Sequence, residues 1–178
     1  VLSALSVLAS PAAEPVSLAE AKEFLRLDHD LDDNLITGLI ASARVWAEEY
    51  TRRAIVQQTI RAVWEGELAS PLPIPRPPFV SAVEAAYRVD AGATEQTFTP
   101  EIMTQTEPAS LWVDSLPALG ATGYIRLDYK AGYSDPPGPL KTAIKLAVQA
   151  AYDQGLYELP ANARALLSPY RIIWGDGG

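Results

Sequence analysis

The sequence predicts an α+β chain, with four helices near its two ends and a small antiparallel β-sheet inserted between them or flanking them. Three observations carry this. Apolar residues recur at helical spacing over residues 17–54 and again over 140–168. Between residues 56 and 130 the period falls to two, the signature of strands. Stretches rich in proline and glycine bound and interrupt that middle part, where neither helix nor central strand can continue. The expected organisation is an extended N-terminal arm (1–16), a single domain (17–168) and an extended C-terminal tail (169–178).

Ser17-Leu18-Ala19-Glu20 is a capping box, in which hydroxyl and carboxylate each satisfy a backbone N–H left over at a helix start. The helix it opens runs to about Leu27. The aspartates of Asp28-His29-Asp30-Leu31-Asp32-Asp33 then suit the start of a second helix, capping its free N–H groups and complementing its dipole. Leu35, Ile36, Leu39, Ile40, Ala43, Trp46, Ala47 and Tyr50 form its apolar face, and Arg52 or Arg53 ends it with a cation at the negative pole. Ile60, Ala62 and Trp64 alternate with Arg61, Val63 and Glu65 in a strand, followed by a rigid connector, Ser70 to Pro78. Val83, Ala85, Tyr87 and Val89 form the next strand, which turns at Gly92 into Gln96–Thr99. Weaker strands are expected at Ile102–Gln105 and Leu111–Val113, and a strong one at Tyr124–Tyr129, with Ile125, Leu127 and Tyr129 on one face. A third helix spans Leu140 to about Gln154 and stops at Gly155; a fourth, short one spans Ala161–Leu167 before Pro169.

At 178 residues the chain can bury a core without staples, and 48% hydrophobic with 20% charged residues is a globular balance. It has no cysteine, so thiolate zinc sites, disulfides and thiol nucleophiles are excluded. Apolar runs fall short of the roughly 20 residues of a membrane helix, and residues 1–13 lack the basic start of a secretion signal, so a soluble protein is expected. A net charge of −8 opposes adhesion to phosphate backbones, yet suits a surface that DNA slides past. The Asp28–Asp33 run resembles a calcium loop, but Asp33 replaces the turn glycine and Leu39 the bidentate glutamate, so helix capping is the better reading. His29, the single histidine, sits in a loop with no partner for nucleophilic or zinc chemistry. Arg52, Arg53 and Arg76 are isolated cations rather than a basic face, and no phosphate-cradling loop is present. No catalytic, cofactor-binding or metal-ligating residue is assigned.

Two segments carry interface character. The third helix is apolar nearly all round: Leu140, Ile144, Ala147, Val148 and Ala151 make one face and Ala143, Leu146 and Ala150 another. Its cover comes either from its own chain or from a neighbouring subunit. Leu167-Ser168-Pro169-Tyr170-Arg171-Ile172-Ile173-Trp174 holds tyrosine, arginine and tryptophan, the residues that anchor binding hot spots, after a proline that favours an extended path; folding back onto the core is the competing reading.

Glu14-Pro15-Val16-Ser17-Leu18-Ala19-Glu20-Ala21-Lys22, the aspartate loop before Leu35-Ile36, Ala47-Glu48-Glu49-Tyr50-Thr51-Arg52-Arg53-Ala54, Tyr129-Lys130-Ala131-Gly132-Tyr133 and Leu167-Ser168-Pro169-Tyr170-Arg171 follow one another in a specific order. In this the chain resembles the head–tail connector (adaptor) family of long-tailed phages, prophages and gene transfer agents. The resemblance implies a four-helix, connector-type core that builds a homo-oligomeric ring under the portal, a dodecamer to match it. It further implies contact with the portal protein and with a stopper or tail-terminator protein, and double-stranded DNA passing through the channel without sequence-specific binding. Cofactors, membrane contact and enzymatic activity are not expected; the location is the virion's head–tail junction, after synthesis in the host cytoplasm. Residues 167–174 are then the expected portal-docking segment, and Ala143, Leu146 and Ala150 the expected ring interface, with acidic residues lining the inner wall. Alternatives are a stopper or tail-completion protein at the same junction, or a carboxylate-dependent wall hydrolase. The sheet-forming middle departs from the shortest, purely helical members.

Overall fold

A computed structural model of the chain describes residues 1–66, 68 and 70–173. Among these residues the helices are α1 (Leu18–Leu25), α2 (Asp33–Thr51), α3 (Gly138–Gln154) and α4 (Ala161–Leu167). The strands are β1 (Leu2–Ala9), β2 (Gln58–Glu65), β3 (Leu72–Pro73), β4 (Phe79–Arg88), β5 (Gln96–Thr97), β6 (Glu101–Met103), β7 (Ser110–Trp112) and β8 (Tyr124–Ala131). The chain is thus α+β, and it divides into two units. One gathers Val1–Ala12 with Gln57–Gly132; the other gathers Ala13–Val56 with the described residues from Tyr133 on. The expected domain of residues 17–168 is distributed over both.

In the helical unit one hydrophobic cluster takes Val16, Ala21 of α1, Ile36, Leu39, Ile40, Ala43 and Ala47 of α2, Leu140, Ala143, Ile144, Ala147, Val148 and Ala151 of α3, and Ala163 and Leu167 of α4. The many alanines let helix axes approach closely, while the isoleucines and leucines supply most of the apolar area removed from water. Local signals set the ends. Ser17 Oγ accepts the Glu20 N–H at 3.2 Å while Glu20 Oε2 accepts the Ser17 N–H at 2.8 Å, completing the capping box. Gly155, at φ +64°, closes α3 in the left-handed conformation that glycine adopts without strain. One expectation fails: Asp32 occupies the N-cap of α2 without a side-chain cap bond, and its carboxylate instead accepts the Tyr152 hydroxyl at 2.7 Å.

The other unit holds a five-stranded sheet, order β1-β2-β8-β4-β5, and a three-stranded one, order β3-β7-β6. All pairings in both are antiparallel. Cross-strand rows run through the larger sheet: Val7, Ile60, Tyr129 and Ala82; Leu5, Ala62, Leu127 and Ala85; Leu2, Trp64, Ile125 and Tyr87. These rows make one face apolar, as period-two alternation requires. The expected arm of residues 1–16 is corrected here. Its first part is a strand, because the open edge of β2 offers N–H and C=O groups that Leu2–Ala9 can pair with, and Val16 belongs to the helical core.

Candidate functional site

The expected docking segment grows out of α4. Leu167 is wholly buried in the helical core, so it anchors rather than docks. Ser168–Tyr170 form a single 3-10 turn, which suits Pro169 because its φ is preset for such a turn. This corrects the expectation of an extended path from residue 169. The chain is then tied to the end of α2: the Ile172 N–H donates to the Thr51 carbonyl at 2.9 Å, supplying a donor to a helix end that lacks one. Arg52 turns the chain at φ 57°, and buried Arg53 donates through Nε to the Tyr170 carbonyl and through Nη1 to the Tyr133 hydroxyl at 3.3 Å. The Arg171 guanidinium lies 5.4 Å from the Tyr50 ring centroid, a cation–π contact. Tyr170 and Ile172 are half-buried, whereas Ser168, Pro169, Arg171 and Ile173 are exposed, Ile173 by 83%. Trp174 lies outside the described residues.

The expected ring-interface trio is placed differently. Ala143 has no exposed surface, Ala150 only 6%, and Leu146 is half-buried against the helical cluster. The reason is that α3 packs against α1, α2 and α4, so its second apolar face is covered from within the chain. In this conformation Ala143 and Ala150 present nothing to a neighbour.

A feature that sequence reasoning missed lies on the sheet face opposite the apolar rows. Asp128, 4% exposed, accepts two bonds from Arg61, each 2.7 Å, and one from Arg126 Nη1 at 2.8 Å. Arg126 Nη2 reaches Glu95 at 2.9 Å and Glu84 at 3.1 Å. Bonds from Arg126 and from the Tyr124 hydroxyl hold the Glu95 carboxyl below the usual glutamate range. Three carboxylates thus engage two guanidiniums, which locks β2, β8 and β4 in register rather than offering an open charge. The available signal was the placement of Arg61, Glu84, Arg126 and Asp128 at the polar positions of three alternating strands.

In the aspartate loop Lys22 pairs with two of the four carboxylates, its Nζ lying 2.5 Å from Asp30 and 2.7 Å from Asp33. Among the described residues no group of three or more His, Cys, Asp or Glu is placed to hold a metal ion, and no helix is long and apolar enough to cross a membrane. An open depression of about 790 Å³ in the sheet unit is lined by Val113, Leu116, Leu119 and Ile125, with Asp114 as the single titratable side chain among its described lining residues.

The family model for phage gp6-like head-tail connector proteins matches residues 15–118. The chain belongs to that family. The connector match spans α1, α2 and most of the sheet-forming middle, and it ends before β8, α3 and α4. No curated protein matches the chain in sequence. Solved structures do. A chain from the neck of an empty gene transfer agent (GTA) particle, computed with C6 symmetry, superposes with a TM-score of 0.82 at 20% identity, over 99% of both chains. A chain from the virion of a native GTA particle gives 0.80 at 19% identity, and one from the native GTA neck, computed with C12 symmetry, gives 0.70 at 20%, again over 99% of both chains. At this identity the connector chain shares their fold.

Proposed function

We propose that the chain is a structural head–tail adaptor subunit: it forms a dodecameric ring under the portal of a phage-like particle, joins head to tail and lets double-stranded DNA pass. The observation that carries this is membership of the connector family combined with a fold that matches, end to end, chains from GTA necks and virions. In this reading the four-helix cluster is the connector-type core. The role is mechanical and needs no catalytic group, so the chain is not an enzyme. A net charge of −8 supports passage of DNA without adhesion, with acidic residues on the inner wall. The portal protein is met by the C-terminal segment, and a stopper or tail-terminator protein meets the ring from the other side.

Within the docking segment the contact falls to the long side chains left exposed, Arg171 and Ile173, which follow a turn that is tied down rather than free. A rigid presentation lowers the entropy lost on docking. Heads lacking this chain, mixed with tails and the purified protein, test the reading by electron microscopy. The unaltered protein should join heads to tails, and the Arg171→Ala/Ile173→Asp variant, folded by circular dichroism, should join on the order of tenfold fewer. Normal joining by that variant would remove the docking assignment. No joining by the unaltered protein would remove the adaptor role itself.

A further inference from the structure

The larger sheet has unpaired length on both of its edges. β1, Leu-Ser-Ala-Leu-Ser-Val-Leu-Ala, contains no charge, proline or glycine, the residues that usually blunt an edge strand. Every residue in it is exposed, Val7 by 54% and Leu8 by 46%, and beyond β2 it has no strand partner among the described residues. At the other side β5 and the Phe98 that follows it cover β4 at Ala85, Ala86 and Tyr87. The remaining length of β4 is open on that side and exposes Val80 and Val83, which fall at register shifts and so stand outside the pairing with β8.

We propose that β1 and the open length of β4 are the two halves of one seam, through which a second copy of this chain joins edge to edge. The proposal rests on the ring reading above. Two geometric facts select a head-to-tail copy as the occupant. First, every pairing along β1-β2-β8-β4 is antiparallel, so β1 and β4 run in opposite directions. A neighbour related by rotation about a ring axis therefore brings its β4 antiparallel to β1, the better-bonded arrangement. Second, such a rotation keeps the faces aligned, so the row ending in Val7 on one copy continues into the row ending in Ala82 on the next, while Ala85 is already bonded by Phe98 of its own chain.

Area sets the conditions. The exposed parts of Leu2, Leu5, Val7, Leu8, Val80 and Val83 sum to a few hundred Å², well below the roughly 1,200 Å² that stable free complexes bury. The seam therefore zips copies already gathered side by side, and the free chain stays monomeric until a template supplies the ring.

The chain has no native cysteine, so an engineered pair reports without background. Rings on heads, carrying Val7→Cys and Val83→Cys together, are treated with a short bismaleimide and run on a denaturing gel. Both sites are surface valines, so folding is preserved. The expected result is a ladder of multimers from the double variant, with each single variant monomeric and the free protein uncrosslinked. A dimer from Val7→Cys alone would mean that β1 meets β1, and an adduct with another neck protein would assign β1 to that partner; either overturns the proposal. Monomers from rings visible by microscopy overturn the seam and leave the ring reading intact. If no ring is visible at all, the ring reading falls and takes the seam with it.

Discussion

Asp128 shows how much a single polar side chain can hold together. Its carboxylate serves Arg61 and Arg126 while almost fully buried, so neutralising it leaves two guanidiniums facing each other on adjacent strands. Asp128→Asn should lower stability by about 3 kcal/mol in urea unfolding. Tyr129 sits on the opposite face, where burial pushes its phenol far above its ordinary 10.0 and its hydroxyl donates to the Pro75 carbonyl at 2.6 Å. The folded value is raised, so this contribution is complete below pH 10 and declines as pH rises past it. Tyr129→Phe should cost about 1–2 kcal/mol at neutral pH and flatten the alkaline limb of a stability-against-pH curve. Glu95 has the reverse sign: its folded value is depressed, so its contribution holds above pH 4.5 and is lost as pH falls below. The apolar partners in these rows were legible as alternation in the sequence. The ion network was not, because alternation says which residues point away from the core but not which of them meet across strands.

Helices were read with most success where the signal is local. The capping box at Ser17 and the stop at Gly155 involve bonds spanning a few residues, and both occur as expected. Ser17→Ala should therefore cost about 1 kcal/mol in thermal or urea unfolding, with loss of α1 ahead of the other helices in hydrogen exchange. Elements whose state depends on distant partners were misjudged. The first residues form β1 because β2 needs a neighbour, and Arg171–Ile172 fold back because Thr51, Tyr50 and Arg53 wait at the end of α2. The same reasoning covers α3: its second apolar face pointed equally to a neighbouring subunit and to its own chain, and burial of Ala143 and Ala150 assigns it to the chain.

Across the molecule, two units share the chain, and the sheet unit is built from its first residues and its middle. Strand and helix patterns announced both kinds of structure; the division into units did not show, because it turns on which end of the chain pairs with the middle. The family was legible through the order of connector-like segments, and the family match over residues 15–118 bears out the family across the first three of them. The adaptor reading then makes a demand on position and symmetry that composition alone cannot make. A symmetry-free reconstruction of the head–tail junction from particles containing this chain provides the test. The account predicts a ring of identical copies seated on the portal, with residues 168–173 facing it and DNA on the axis. A chain found away from the portal, or present without rotational repetition, would contradict it.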